Sequence, residues 1–164
     1  MKMEKRNLVF DLPVWIGSVV MVFGLLAADA FAGGVKGGAD DPVWRAECGS
    51  CHVAYPPALL PAPAWRAQMA TLKAHYGSDA TLDPTTAAHV GAFLERNAGR
   101  DRGTAAATAE PPRITTTTWF VKEHRKVPAP AWKSAAVKSA ANCGACHAGA
   151  DKGSFDERAV RIPN

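Results

Sequence analysis

The apolar residues are distributed unevenly, with one uninterrupted run near the start of the chain and short amphipathic stretches after it. The run covers residues 14–28, follows a positively charged start, and precedes an A-x-A sequence that finishes at Ala32. These three features are typical of a secretory signal peptide. We predict a signal peptide over residues 1–32, with Ala30 as the alternative cleavage point and no membrane span left after cleavage. An uncleaved anchor competes, but a run of about 15 residues is short against the ~20 of a spanning helix.

Two later stretches have the apolar spacing of amphipathic α-helices. One begins at Asp83-Pro84, an N-cap followed by proline, and predicts a helix over residues 83–97. Its apolar stripe is formed by Ala87, Val90, Phe93 and Leu94. The other predicts a helix over residues 63–76 that can stop at Gly77. Its apolar face is formed by Trp65, Met69, Leu72 and Tyr76.

The rest of the pattern divides the chain into two parts. A short helix is predicted to start at Asp41-Pro42 and to run through Trp44 to Cys48. Residues 99–113 are rich in glycine, alanine, threonine and proline, which indicates a linker. Beyond it we predict a helix from Ala131 to Asn142. The expected organisation is therefore one segment over residues 40–98 and another over 114–164, the second too small to bury much core alone.

Composition adds little to this picture. The chain has 164 residues, a formal net charge of +4 and a hydrophobic share of 48%, which is ordinary for a globular protein. It contains no polybasic run, so nucleic-acid binding has little support. The predicted signal peptide carries three basic and three acidic residues, so its removal leaves the net charge at +4. Net charge alone therefore identifies no partner.

The candidate chemistry lies in the cysteines, which all belong to one five-residue pattern that occurs twice. The two copies are Cys48-Gly49-Ser50-Cys51-His52 and Cys143-Gly144-Ala145-Cys146-His147. C-x-x-C-H is the sequence of c-type haem attachment. The two thiols form thioether links to the vinyl groups of one haem, and the histidine coordinates its iron. We therefore predict two covalently bound haem c groups, held by Cys48, Cys51, Cys143 and Cys146, with His52 and His147 as iron ligands.

Three other uses of paired cysteines compete with this interpretation. A redox C-x-x-C needs no trailing histidine and usually occurs once in a chain. A zinc site usually combines C-x-x-C with a second ligand pair in a small finger. Two disulfides would suit an exported chain. The repetition of the complete motif, with its histidine, favours haem attachment over all three.

Each iron has a second axial position, for which the mature chain offers Met69, His75, His89 and His124. His75 lies at the edge of the apolar face of the first predicted helix, and we favour it for the first haem, with Met69 as the alternative. His89 falls on the polar side of its helix and is expected to be solvated. His124 follows Phe120 by four residues in a segment without methionine, and we favour it for the second haem.

The predicted pairs are therefore His52 with His75 and His147 with His124. Two imidazoles on each iron leave no open position and lower the reduction potential relative to methionine–histidine ligation. This favours electron transfer over catalysis. A dihaem peroxidase, which needs an open or displaceable position, and a fixed subunit of a membrane oxidoreductase complex are the competing functions.

With these residues in view, the sequence resembles the bacterial dihaem cytochrome c family known as DHC. The resemblance is carried by residues 48–61, His75-Tyr76-Gly77, Phe93-Leu94, Arg113-Ile114-Thr115, Trp119-Phe120 with His124, Cys143 to His147, and Gly153-Ser154-Phe155. It implies a mainly α fold, in which a small class I cytochrome c-like helical domain is followed by a smaller, irregular haem-binding domain. It also implies bis-histidine ligation and periplasmic electron transfer. The partners it implies are a high-spin monohaem cytochrome c and a membrane b-type cytochrome.

Overall fold

The computed structural model describes residues 38–101, 103 and 111–163, so the predicted signal peptide lies outside the described residues. Five α-helices lie in these ranges: α1 (Pro42–Cys48), α2 (Ala62–Ala70), α3 (Pro84–Arg96), α4 (Thr118–Glu123) and α5 (Ala129–Lys133). Short 3-10 turns connect them, and the only β pairing in the described ranges is two isolated bridges. The expected mainly α fold is confirmed.

Helices α1 and α3 begin where the sequence predicts, at an aspartate followed by proline. Asp41 Oδ1 accepts a hydrogen bond from the backbone N–H of Trp44 at 2.9 Å. Asp83 Oδ1 accepts from Thr85 and Thr86 at 3.0 and 3.1 Å. Each carboxylate satisfies N–H groups that the first turn of a helix leaves without a partner. These caps fix where the two helices begin, and α1 then ends at Cys48.

The main core lies between α1, α2 and α3. Three residues of α3 point into it, as its apolar stripe predicts: Val90, Phe93 and Leu94. The ring of Phe93 packs on that of Trp44 with centroids 5.2 Å apart. Burying one such side chain stabilises the fold by about 1.5–3 kcal/mol. The same cluster includes Leu60 and Trp65, so one wall of the core is also a wall of the first candidate site.

The predicted helix over residues 63–76 is wrong at its C-terminal end. Helix α2 stops at Ala70 because Thr71 Oγ1 bonds back to the carbonyl of Ala67 at 2.9 Å. A 3-10 turn over Leu72–Ala74 follows, and then Tyr76 has a φ of +49°. His75 therefore lies in a turn rather than on a helix.

The predicted helix from Ala131 to Asn142 is also wrong, because α5 ends at Lys133. Ser134 Oγ bonds to the carbonyl of Ala131 at 2.9 Å and accepts from the N–H of Val137 at 3.3 Å. These local bonds replace the helical ones. Lys138 then has a φ of +63°, which no helix accommodates.

The second part of the chain has a small core. Helix α4 is capped by Thr117, a fully buried residue whose Oγ1 accepts from the N–H of Phe120 at 3.1 Å. The other buried apolar residues there are Phe120, Ala131, Val137 and Ala150. Few side chains thus exclude water in this part, as its length predicts.

The two parts are joined by specific hydrogen bonds. Tyr55 donates its hydroxyl to the carbonyl of Ala141 at 2.8 Å, and Arg45 Nη1 donates to the carbonyl of Asp151 at 2.6 Å. All the described residues fall in one compact unit. The division into two haem domains with a linker at residues 99–113 stays a prediction. No helix within the described ranges is both long and apolar enough to cross a membrane.

Candidate functional site

The first motif follows directly from the end of α1. Cys48 is its last residue, and the backbone N–H of Gly49 closes the helix on the carbonyl of Arg45 at 3.0 Å. The chain then turns through Cys51 to His52. These side chains open into a cavity of about 540 Å³ whose walls are mostly apolar, formed among others by Trp44, Leu60, Trp65, Met69 and Leu72. A cavity of this size and character is typical of a cofactor site.

His75 lies across this cavity from the motif histidine. The ring centroids of His52 and His75 are 6.2 Å apart, with 27° between the ring planes. An imidazole nitrogen binds a transition metal at about 2.0 Å, so two rings on opposite sides of one ion have centres about 6 Å apart. The other ring nitrogen of His52, Nδ1, lies 2.8 Å from the carbonyl of Val53. Such an outer contact orients a ligating imidazole.

A polar network holds the turn that carries His75. Gln68 Nε2 donates to the hydroxyl of Tyr76 at 2.6 Å, and that hydroxyl donates to the carbonyl of Pro111 at 3.2 Å. The guanidinium carbon of Arg113 lies 3.8 Å from the centre of the Tyr76 ring, within cation–π range. These contacts hold Tyr76 in its left-handed conformation and so fix the direction of the histidine before it.

The electrostatics of His75 favour the form that binds metals. Burial lowers its pKa, and the neighbouring charges of His52 and Arg113 lower it further. Its Nδ1 is buried and has no hydrogen-bond partner among the described residues. A neutral imidazole in an apolar cavity, facing a second imidazole, is suited to hold an iron.

The second motif is built on a different local structure. Cys143–Ala145 form a 3-10 turn, and the N–H of His147 bonds to the carbonyl of Cys143 at 2.9 Å. The chain near the C-terminus pairs with the motif, because the N–H of Arg161 bonds to the carbonyl of Cys146 at 3.0 Å. His147 packs on Phe155 with ring centroids 5.3 Å apart. Burial lowers the pKa of His147, and the charge of His124 lowers it further.

His124 faces this second motif from the end of α4. Its ring stacks on Phe120 at 3.9 Å, and its Nδ1 lies 2.8 Å from the Phe120 carbonyl. The ring of Trp132 lies on another side, 5.9 Å away. The ring centroids of His124 and His147 are 6.2 Å apart, with 73° between the planes. The spacing therefore equals that of the first pair, although the angle between the rings differs.

The remaining candidates occupy other positions. Met69 lines the first cavity and packs within the core cluster. The exposed His89 lies on the surface, where its Nε2 is 2.9 Å from Asp41 Oδ2. It therefore adds a contact to the carboxylate that caps α1, which the helical pattern of α3 does not reveal.

The four cysteines form no disulfide, and Cys48 and Cys51 line the first cavity. Burial raises the pKa of Cys48 and of Cys143 to about 11 in each case. Within the described ranges no three His, Cys, Asp or Glu side chains form a cluster that could hold a metal ion. The geometry therefore offers pairs of imidazoles with adjacent thiols, as haem attachment requires, rather than a four-ligand zinc site.

The two motifs are neighbours in space. A second cavity of about 370 Å³ is lined by Cys51 and His52 from the first motif and by Cys143 from the second. Tyr55 stacks on His52 with ring centroids 4.7 Å apart and reaches across to Ala141. Nothing in the sequence indicates this proximity, because Cys143 follows Cys51 by 92 positions.

Comparison with known proteins identifies the arrangement. The family model of dihaem cytochrome c matches residues 44–155, which is more than half of the chain. The chain belongs to the dihaem cytochrome c family. It carries two covalently bound haem c groups, and its helical fold is that of the family. No curated protein gives a significant match.

Solved structures of family members cover most of the chain. A dihaem cytochrome c from Shewanella baltica is 39% identical, covers 75% of this chain and 93% of its own, and superposes with a TM-score of 0.66. The DHC purified from Rhodobacter sphaeroides is 41% identical, covers 72% of this chain and 99% of its own, and gives a TM-score of 0.62. These matches support the resemblance seen in the sequence.

Proposed function

We propose that this cytochrome transfers electrons between redox proteins in the periplasm through two low-potential haems, each held by two histidines. Cys48 and Cys51 would attach the first haem, and His52 and His75 would hold its iron. Cys143 and Cys146 would attach the second, with His147 and His124. The observation that supports this most directly is the pair of imidazole couples, each with centroids 6.2 Å apart.

The haem supplies the one-electron chemistry when it is bound. The chain supplies the rest. Two thiols attach each macrocycle, two imidazoles coordinate each iron, and apolar walls exclude water. Two ligands from the protein leave no position for oxygen or peroxide, which favours an electron carrier over an enzyme. Histidine in place of methionine also favours a lower potential.

The ligand assignment is tested by EPR of the oxidised holoprotein and of three single variants. His75→Ala and His124→Ala should each convert one haem from low-spin to high-spin, because one axial position opens. His89→Ala is the matched control and should leave both haems low-spin, since His89 lies on the surface. If both ligand variants remain fully low-spin, the assignment is wrong. Met69→Leu tests the alternative first ligand in the same way.

Carbon monoxide separates the carrier from the dihaem peroxidase. The reduced wild-type spectrum should not change, whereas reduced His75→Ala should bind the gas at one haem. A shift in the wild type would indicate a displaceable ligand and favour an enzyme. The expected partners are a high-spin monohaem cytochrome c and a membrane b-type cytochrome. Co-purification with the latter after mild solubilisation would indicate a fixed subunit instead.

Export and processing are tested by mass spectrometry of the protein from the periplasmic fraction. Cleavage after Ala32 leaves a chain that begins at Gly33, with two haem masses added. A chain that begins at Phe31 would indicate the alternative site, and an intact N-terminus in the membrane fraction would indicate an anchor.

A further inference from the structure

Charge is divided unevenly between the two parts of the chain. Residues 38–101 contain five basic and seven acidic residues, a net charge of −2. Residues 111–150 contain six basic residues and one acidic residue, Glu123, a net charge of +5. Two haem propionates would leave the second region positive. Arg113 lies over the Tyr76 ring beside the first cavity, and the other five basic residues belong to the segment that carries the second candidate site.

Three of these six basic residues flank one candidate ligand. Lys122, Arg125 and Lys126 lie on either side of His124, and all three are exposed. Lys133 is also exposed and follows Trp132, whose ring lies 5.9 Å from that of His124. We call Lys122, Arg125, Lys126 and Lys133 the basic rim. None of them forms an ion pair with another described residue.

Helix stability explains only part of the basic rim. Basic side chains favour the C-terminus of a helix, and Arg125 Nη1 does donate to the carbonyl of Lys122 at 2.8 Å. Helix α4 has only six residues, so a single bond of this kind serves its C-terminus. Within the described ranges, the side-chain nitrogens of Lys122, Lys126 and Lys133 donate no hydrogen bond to a helix carbonyl.

An apolar side chain is exposed beside the basic rim. Val121 is 59% exposed, the largest value among the exposed large hydrophobic residues described. It directly precedes Lys122 in α4, and Arg125 follows shortly after the end of that helix. An apolar centre with a charged surround is typical of protein interfaces. The charged residues that line the first cavity are of both signs, namely Glu47, Asp79 and Arg113.

We propose that the basic rim around Val121 is the docking surface for an acidic redox protein, and that electrons enter or leave at the second haem. This inference rests on the proposed electron transfer and names its partner class. A protein is favoured over an anionic membrane because one valine on a six-residue helix gives too small an apolar face for an interfacial anchor. Complementary charge raises association rates by about 10–10³-fold at low salt.

The test compares two charge-reversal variants of the holoprotein in stopped-flow reduction by photoreduced flavodoxin, a small acidic electron carrier. Lys122→Glu/Lys126→Glu alters the basic rim, and Arg96→Glu/Arg100→Glu makes the same net change at the end of α3. At low salt the first variant should react about tenfold more slowly than wild type. The second should stay within about twofold, and added salt should remove the difference. Far-UV CD and low-spin EPR confirm that both variants fold.

The possible outcomes distinguish a failure of the proposed docking surface from a failure of the proposed electron-transfer function. Equal slowing of both variants would show that only net charge matters and would overturn the proposed surface, as would no slowing in either. Binding of the wild type to phosphatidylglycerol vesicles that the Lys122/Lys126 variant loses would assign the rim to lipid and overturn it too. Failure of the haems to exchange electrons with flavodoxin and with uncharged small mediators alike would contradict the proposed function itself.

Discussion

The hydroxyl of Tyr55 is the contact whose removal tests most directly how the two haem regions are held together. It donates to the carbonyl of Ala141 at 2.8 Å, only two residues before Cys143, while its ring stacks on His52. Replacing Tyr55 by phenylalanine removes the hydroxyl and keeps the ring. Replacing it by alanine removes both.

The expected costs of the two substitutions differ. A neutral hydrogen bond contributes about 0.5–1.5 kcal/mol net, so Tyr55→Phe should lower the free energy of unfolding by about 1 kcal/mol. Truncating a buried aromatic ring costs about 3–5 kcal/mol. Tyr55 is only partly buried, so Tyr55→Ala should cost about 2–4 kcal/mol. The phenylalanine variant should thus lose less than half of what the alanine variant loses.

The contribution of Tyr55 also depends on pH in a defined direction. Burial raises the pKa of Tyr55 above its usual value of 10.0. A group whose pKa is raised on folding contributes stability that is fully present below the unfolded pKa and is lost as pH rises through the folded pKa. The stability difference between the wild type and Tyr55→Phe should therefore shrink above pH 10.

The assay is guanidinium unfolding of the oxidised holoproteins, followed by far-UV CD at neutral and alkaline pH. Val121→Ala is the control, because an exposed side chain should change stability by no more than about 0.5 kcal/mol. A Tyr55→Phe variant as stable as the wild type would show that the bond to Ala141 contributes nothing in solution. A difference that persists unchanged above pH 10 would refute the burial argument.

Three further predictions concern the packing and capping of the first part of the chain. Phe93→Ala should cost about 3–5 kcal/mol in guanidinium unfolding, because the side chain is 5% exposed, whereas Val121→Ala should cost almost nothing. Gly99→Ala should cost about 1–3 kcal/mol, because its Cβ would lie 2.0 Å from a backbone oxygen, while Gly38→Ala has open space and should be neutral. Hydrogen bonds from the first turn of α3 lower the pKa of Asp83 below 3.8, so its contribution is present above that pH and lost as pH falls through the folded pKa. Asp83→Asn keeps a cap and should flatten the acid decline of the melting temperature.

The sequence predicts local structure well where one residue decides it. The caps at Asp41 and Asp83 and the stripe of α3 are confirmed, because each depends on neighbours within a few residues. The early ends of α2 and α5 could not be predicted. In both, a single hydroxyl, on Thr71 or Ser134, bonds back to the chain and competes with a pattern that is otherwise helical.

The long-range features had no signal in the sequence. The pairing of His89 with Asp41 spans 48 residues, and the bond from Tyr55 to Ala141 spans 86. Such contacts depend on how short helices pack, and no periodicity encodes that. The candidate ligands were selected for a different reason: the chemistry of iron restricts them to a few residue types, and residues 33–164 contain only five histidines and one methionine.

The two histidine pairs reach the same spacing by unrelated local structures. His75 lies in a turn that Tyr76 holds through a polar network, whereas His124 closes a helix and stacks on Phe120. The motif histidines differ as well, since His52 follows a helix and His147 follows a 3-10 turn. A shared fold element would produce equal spacings without any constraint from a ligand. Here no element is shared, and yet both centroid distances are 6.2 Å. The equality is what a common requirement of the bound group predicts, and it supports the proposal that two histidines hold each haem.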